Sequence, residues 1–472
     1  MSFMPVILWT DAMVFLLLAV GIFGAWWIRR RPHLALPWVR VGKSRVGMVS
    51  LSVLSLFLLV GLLDSLHFRA ALPEKNNGQT VYSPEVLSAF DVLVGGLRTR
   101  TEKTYSAPLA THLYAKESIE MPDGKQLRDY PRLLHGGAHL HLPESEWTGD
   151  VVRRGLLGAA GGVAMVGVLL LAAEWGRRRF LSQGSADANA GHLVKSPAVR
   201  RAMIVTAFIL AVLIGAIANL AVAYHVLGTD KVGQDVLYLS LKSIRTGLVI
   251  GTVTTLVMLP FALLLGIAAG YLRGWVDDVI QYVYTVLSSI PSVLLIAAAV
   301  LMMQVVIEKN ADWFATSAAR ADVRLLCLCV ILGVTSWTGL CRLLRGETLK
   351  LRELEYIQAA QAFGVSSLRI ITRHIVPNVM HIVLISVVME FSALVLAEAV
   401  LSYVGVGVDP STISFGTLIN AARLEMGREP MVWWTLAAAF GFMLVLVLAA
   451  NLFADAVRDA FDPRLNRTES AT

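Results

Sequence analysis

An all-α polytopic membrane protein is the fold class this sequence predicts, on three observations. The 472 residues are 56% hydrophobic and only 16% charged, against about 45–50% and about 25% in an average soluble protein. The apolar residues gather in runs of roughly 20, the length a helix needs to cross a bilayer. The runs are continuous and do not alternate with polar residues, which selects helices over a barrel. Nine spans follow, at about 4–28, 46–64, 155–173, 202–224, 246–270, 278–304, 324–341, 379–400 and 432–456.

The first span has no basic residue before it, and Arg29, Arg30 and Arg31 follow it. That polarity is the reverse of a cleaved secretory signal and places the N-terminus outside. With alternating spans, the segments assigned to the cytoplasm carry 22 Lys and Arg and the short outside loops carry 8. Cytoplasmic loops hold the positive excess, so the N-terminus is expected in the periplasm and the C-terminus in the cytoplasm. Two units are expected. Residues 1–201 form an N-terminal extension of three spans, with an outside segment at 65–154 and a polar linker at 174–201. Residues 202–472 form a six-span core with short loops. In the outside segment, Ser83 is positioned to cap a helix with Pro84 at its first position. The linker "SQGSADANAGHLVKSP" has a flexible composition.

The core interrupts its apolar runs with "EYIQAAQAFGVSSLRIITRHIVPN" at 355–378. Residues 351–363 are strong helix formers, with Glu355, Gln358, Ala359 and Ala360 among them. Gly364 suits the left-handed residue that ends a helix. Ser366 or Ser367 can cap a second short helix, which Pro377 either stops or converts into the first turn of the next span. The expected product is a cytoplasmic elbow at 351–376, with a first limb about 20 Å long. Two readings of that limb stay open: a rod that docks on another protein, or an amphipathic helix on the lipid surface. Its alanines favour the protein groove, since a lipid-bound helix shows a broad Leu/Phe face.

Within the spans, Gly247 and Gly251, then Gly266 and Gly270, repeat at four-residue spacing and suit close helix approach. Pro260 and Pro291 are expected to kink their helices. Glu390 lies mid-span, where a charge costs roughly 3 kcal/mol, and is a candidate for a solute pathway. Glu398 lies nearer the outer end and is expected to be wet. Gly42-Lys43-Ser44 resembles the end of a phosphate loop, but Pro37 stands where that loop needs glycine. His135, His139 and His141 with Glu144 and Glu146 are either a solvated loop or a zinc or nickel site. No catalytic arrangement of nucleophile and base stands out, so no enzyme, cofactor or nucleic-acid partner is expected. Cys327, Cys329 and Cys341 read as small buried apolar groups.

Several of these blocks together resemble a known family. Gln358-Ala359-Ala360, Gly364 and Ile375-Val376-Pro377 resemble the "EAA" loop of ABC importer permeases. Gln358 keeps the length of the usual glutamate and loses its charge. "HVLGTDKVGQDVL", carrying Gly228, Thr229, Asp230, Gly233 and Asp235, looks like the outer loop of dipeptide and oligopeptide permeases, with Gln234 for their arginine. "GIAAGYLRGWVDDVI" resembles their second inside turn. "LAEAVLSYVGVGVDPSTISFG" is similar to their last outer segment, with Phe415 for tryptophan, and "NLFADAVRDAFDPRL" to their tail. The resemblance spans 202–472.

It implies a six-span ABC importer permease core in a bacterial inner membrane, working with a second permease, two cytoplasmic ATPases that bind the ATP, and a periplasmic substrate-binding protein. The elbow then docks the ATPases, and Pro377 passes their motion into the next span. The extension docks the binding protein or braces the partner permease. Two rivals stand beside this reading. One is a membrane sensor or scaffold whose outside segment binds a ligand. The other is a secondary transporter, which needs more buried ionisable residues.

Overall fold

The computed structural model describes residues 3–76, 79–120, 126–182, 197–314 and 316–461. Among these, nine helical stretches are long and apolar enough to cross a membrane, in the order the apolar runs predict. The linker expected at 174–201 and the tail resembling "NLFADAVRDAFDPRL" lie partly outside the described residues.

The chain opens with a strand, β1 (Phe3–Val6), before the first spanning helix, α1 (Trp9–Arg29). A short helix α2 (Pro32–Val41) leads to α3 (Arg45–Asp64). Next come strands β2 (His67–Asn76), β3 (Gln79–Tyr82) and β4 (Leu87–Ser88), short helices α4 (Ala89–Leu93) and α5 (Gly95–Thr99), and a hairpin of β5 (Glu117–Glu120) and β6 (Gln126–Asp129). Strand β2 pairs antiparallel with β1, β3 and β4. Helices α6 (Pro143–Ser182), α7 (Pro197–Ala221) and α8 (Val236–Leu272) follow. The remainder is α9 (Trp275–Ser289), α10 (Ser292–Lys309), α11 (Ser317–Ser336), α12 (Thr338–Arg352), α13 (Glu355–Ala362), α14 (Ser367–Ile370), α15 (Val376–Val404), α16 (Phe415–Glu425) and α17 (Trp434–Phe461).

Several expectations change. The run at 278–304 is two helices, because Pro291 cannot continue α9 and instead precedes α10. Pro260 is carried inside a continuous α8. The start of the run at 4–28 is strand, since Phe3–Val6 find edge partners in β2. The cap expected at Ser83 falls instead at Ser88. Its hydroxyl accepts from the N–H of Asp91, and the Asp91 carboxylate accepts from the N–H of Ser88, a reciprocal capping box. Ser44 of the phosphate-loop look-alike caps α3 by accepting from the Gly47 N–H at 3.1 Å.

Helix α8 is the most deeply buried of the nine. Its 37 residues make a rod of about 55 Å, longer than a hydrocarbon core of about 30 Å. One end meets the segment at 65–142, the other meets the elbow. We call these the segment side and the elbow side. The extension is built onto this helix and onto α17. Phe57 of α3 joins Ile244, Phe415 and Leu446 in one buried cluster. A Cβ on Gly47 would sit 2.8 Å from that of Ala456, so α3 and α17 touch nearly backbone to backbone. Trp38 of α2 packs edge-on to Phe461. Helices α6 and α7 approach as closely through Gly158, Gly162 and Gly215.

At the segment side the contact is ionic. Arg245 of α8 is largely buried and donates to Asp11 Oδ1 at 2.5 Å, Thr10 Oγ1 at 2.9 Å and Ser65 Oγ at 3.3 Å. Asp11, fully buried, also holds His67 Nδ1 at 2.7 Å. Thr10 donates its hydroxyl to Asp322 of α11. One turn earlier in α8, Lys242 reaches both oxygens of Asp91 at 2.6 and 2.7 Å, and Tyr238 donates to the same carboxylate at 2.8 Å. Removing one partner of a buried ion pair strands the other charge at a cost of about 3–5 kcal/mol. Asp11→Ala should therefore lower stability by about that amount, read as the thermal midpoint of the purified full-length protein. The double variant Asp11→Ala/Arg245→Met should recover most of the loss.

Candidate functional site

The elbow is where the chain turns back on itself at the elbow side. The helix expected over 351–363 breaks at Glu353 and Leu354, because Leu354 takes extended backbone angles and starts α13. Gln358 secures that break: its amide donates to the Glu353 carbonyl at 3.2 Å and lies 3.5 Å from the Glu353 carboxylate. A glutamate at 358 would instead face Glu353 as a like charge. At the far end of α13, Gly364 has φ +72°. The Val365 N–H donates to Ala360 O and the Gly364 N–H to Gln361 O, both at 3.0 Å, the two bonds of a Schellman ending. The second limb is not a separate helix. It runs from α14 through a π turn at Ile371–Ile375 straight into α15, with Pro377 in the first turn of α15. The wider π turn fits a residue that has no N–H to give.

The two limbs have opposite faces. Ile357, Ile370, Ile375 and Val379 are buried in a cluster that includes Met258 and Tyr271 of α8 and Leu344 of α12. Helices α8 and α12 touch there through Gly266 and Gly270, where a Cβ would meet Cys341 O and Arg345 O at 2.8 Å each. Gly251 likewise admits the Phe391 ring, whereas Gly247 leaves ordinary contact distance to Phe415. Arg345 of α12 grips both oxygens of Asp277 of α9 at 2.6 and 2.7 Å. On the other face, Glu355, Gln358, Ala359 and Ala362 are exposed. Phe363 is 87% and Leu368 72% exposed, on either side of the Gly364 turn. Neither was singled out in the sequence, although a Phe and a Leu flanking a polar turn in "AFGVSSL" was the available signal.

The outer-loop motif forms a second constellation. Gly228 and Gly233 both have positive φ and lie against the backbone of the 65–154 segment. A Cβ on Gly233 would fall 1.8 Å from Glu102 O, so only glycine lets the two strands of chain meet. Thr229 is fully buried, accepts from the Ser106 N–H at 2.6 Å and donates to Thr104 O at 2.9 Å. Trp434 donates to Thr229 O at 3.0 Å. Asp230 closes its own turn by accepting from Val232 and Gln234. Asp235 caps α8 and accepts from His225 Nδ1 at 2.8 Å. The other ring nitrogen of His225 lies 3.4 Å from Glu102, whose carboxylate accepts the N–H groups of Leu134, His135 and Gly136. The sequence reading missed His225 and Glu102, because 122 intervening residues separate them.

The remaining candidates separate. Glu390 is half-buried in α15 and has no hydrogen-bond or ion-pair partner among the described residues. Glu398, expected to be wet, is buried: it accepts from Ser402 at 2.7 Å and Ser414 at 2.8 Å and ties α15 to the start of α16. His139 is committed to Asp150 at 2.7 Å. Among the described residues no three His, Cys, Asp or Glu side chains gather as a metal site.

Burial opposes the charged His225 imidazolium, but the hydrogen bond to Asp235 and the nearness of Glu102 outweigh it and raise its pKa from 6.5 to about 9. Burial likewise opposes the Glu102 carboxylate. His225 and the three backbone N–H groups prevail, and lower its pKa from 4.5 to about 2. The histidine contribution is complete below about 6.5 and is lost as pH rises through about 9. The glutamate contribution is complete above about 4.5 and is lost as pH falls through about 2. Amide-exchange protection of residues 102–114 and 225–235 should therefore be greatest between those limits and fall above pH 9. Glu102→Gln should reduce the alkaline step without abolishing it, because the hydrogen bond from His225 to Asp235 remains.

The chain is similar to known membrane transport proteins. The family described as "binding-protein-dependent transport system inner membrane component" matches residues 262–467. The oligopeptide transport system permease protein OppC of Mycobacterium tuberculosis is 33% identical over 239 residues, covering 51% of this chain and 76% of that protein. The glutathione transport system permease protein GsiD of Pectobacterium atrosepticum is 32% identical over 243 residues, covering 51% and 73%. The dipeptide transport system permease protein DppC of Bacillus subtilis is 28% identical over 247 residues, covering 52% and 70%. A solved structure of the MetNI methionine ABC transporter in inward-facing conformations matches with a TM-score of 0.36 and 15% identity, over 48% of this chain and 97% of that one.

Proposed function

The chain belongs to the binding-protein-dependent permease family of ABC importers, and on that premise we propose that its elbow is the handle by which partner ATPases move the bundle. The observation that carries this is the two-faced elbow. Its exposed face is slim and ends in Phe363 and Leu368, while its buried isoleucines are wedged among α8, α12 and α15. A buried apolar contact transmits displacement because close-packed groups cannot slide without losing contact. A push on α13 is then felt by three spans at once, and the π turn before Pro377 is the joint through which α15 follows.

In this reading the elbow side is cytoplasmic, the segment side periplasmic, and ATP is bound by two partner ATPases. Residues 202–472 form the translocation core together with a second permease. Glu390, an unpaired carboxylate at mid-span, faces the solute path, because hydrocarbon does not tolerate such a group. The relatives' names put di- and oligopeptides first among substrate classes. A periplasmic binding protein delivers them. The extension at 1–201 braces this chain's own periplasmic rim, since its ion pairs are made to α8 and a hydroxyl hydrogen bond joins it to α11.

Two outcomes test the proposal in the complex purified with its ATPases. A Cβ at position 364 meets nothing within 4 Å, so Gly364→Val strains only the backbone, by about 1–3 kcal/mol. It should impair ATPase assembly while the chain still folds. Phe363→Ala should weaken docking by about 2 kcal/mol. If both variants keep full assembly and transport-coupled ATP hydrolysis, the elbow is not the handle. Separately, Glu390→Gln should change peptide uptake into liposomes and leave ATPase docking intact. Unchanged uptake removes Glu390 from the path.

A further inference from the structure

Helices α1, α3 and α8 enclose a groove of about 380 Å³. Its walls include Val14, Leu17 and Gly21 of α1, Leu58 and Leu62 of α3, and Leu248 of α8, and Arg245 and Ser65 close its segment-side end. All three walls are candidate membrane spans. The α1 wall runs from Val14 to Ala25, about 16 Å, close to the depth of one leaflet, which is half of about 30 Å.

Its contents follow from its chemistry. Apolar cavities stay dry, and a void of this size would leave its lining without dispersion partners. The groove is apolar along its length, runs about the depth of one leaflet and is polar at one end, which matches a hydrocarbon chain with its ester or phosphate group. The polar end is also specific. Arg245 uses Nε on Ser65 and Nη2 on Thr10 and Asp11, while its Nη1 makes no hydrogen bond among the described residues.

We propose that this groove binds a membrane phospholipid, with one acyl chain between α1, α3 and α8 and an ester or phosphate oxygen accepting from Arg245. The site has a structural purpose. Helix α1 is buried only at its start, at Thr10 and Asp11, and its side chains from Ile22 to Trp27 are largely exposed. The lipid chain completes the contact that α1 lacks and joins the extension to the core. The proposal depends on neither the direction of transport nor the solute.

The test uses the full-length protein in vesicles of phosphatidylethanolamine and phosphatidylglycerol, with a trace of phospholipid carrying a diazirine on one acyl chain. After photolysis, adducts should concentrate on residues 14–25, 58–62 and 245–252, above those on the exposed α7 residues Val205, Ile209 and Leu213. A Cβ on Gly21 meets nothing within 4 Å, so Gly21→Phe can fill the groove. It should cut the groove adducts about tenfold, the equivalent of about 1.4 kcal/mol, and leave the α7 adducts unchanged. Leu58→Trp, from the opposite wall, serves if Gly21→Phe fails to fold. Adducts no denser than on α7, or insensitive to both variants, overturn the proposal. So does their disappearance when the second permease is added, which would make the occupant a protein.

Discussion

A guanidinium cannot be buried among apolar helices without partners, and Arg245 obtains its partners from the far end of the chain. Asp11 and Thr10 come from the first turn of α1, and Thr10 reaches on to Asp322 of α11. That requirement fixes where α1 stands. It also fixes β1, whose partner strand begins at His67, the residue that takes the second oxygen of Asp11. Tyr238, Lys242 and Arg245 fall on one face of α8 by helical spacing, so one stripe mounts the segment and the first span together. His225 and Asp235, just before α8, repeat the arrangement with Glu102.

The opposite end of α8 is held mainly by apolar packing, with the Arg345–Asp277 and Arg273–Glu353 ion pairs beside it. Ile357, Ile370 and Ile375 enter a cluster that also takes Leu344 and Tyr271. The contrast has a physical logic. Charge pairs are directional and resist shear at the segment side. Close-packed apolar groups at the elbow side instead carry a displacement from one helix to the next, as the proposed handle requires.

How legible this was can be judged residue by residue. The spans were readable because each is long and uniformly apolar, and the Gly364 turn because so few residues adopt its φ. Pro291 was seen as a kink but not as the break that separates α9 from α10. Lys242 and Arg245 were counted as charges of an outside loop. They are half-buried in α8 and ion-paired there, and nothing local to "LSLKSIR" distinguishes a snorkelling lysine from one that meets Asp91. Glu398 looked wet for the same reason: its hydroxyl partner Ser414 lies beyond a loop.

The sequence by itself determined the nine spans, their order, the Gly364 turn and the family, because those depend on local periodicity, on caps and turns, and on short motifs. Only the tertiary structure decided that the extension is part of the bundle, that the outer-loop motif is covered by the chain's own segment, and that Phe363 and Leu368 form the exposed tip. Those outcomes depend on which distant charges and apolar faces meet. A linear pattern records that a group needs a partner but not where the partner is.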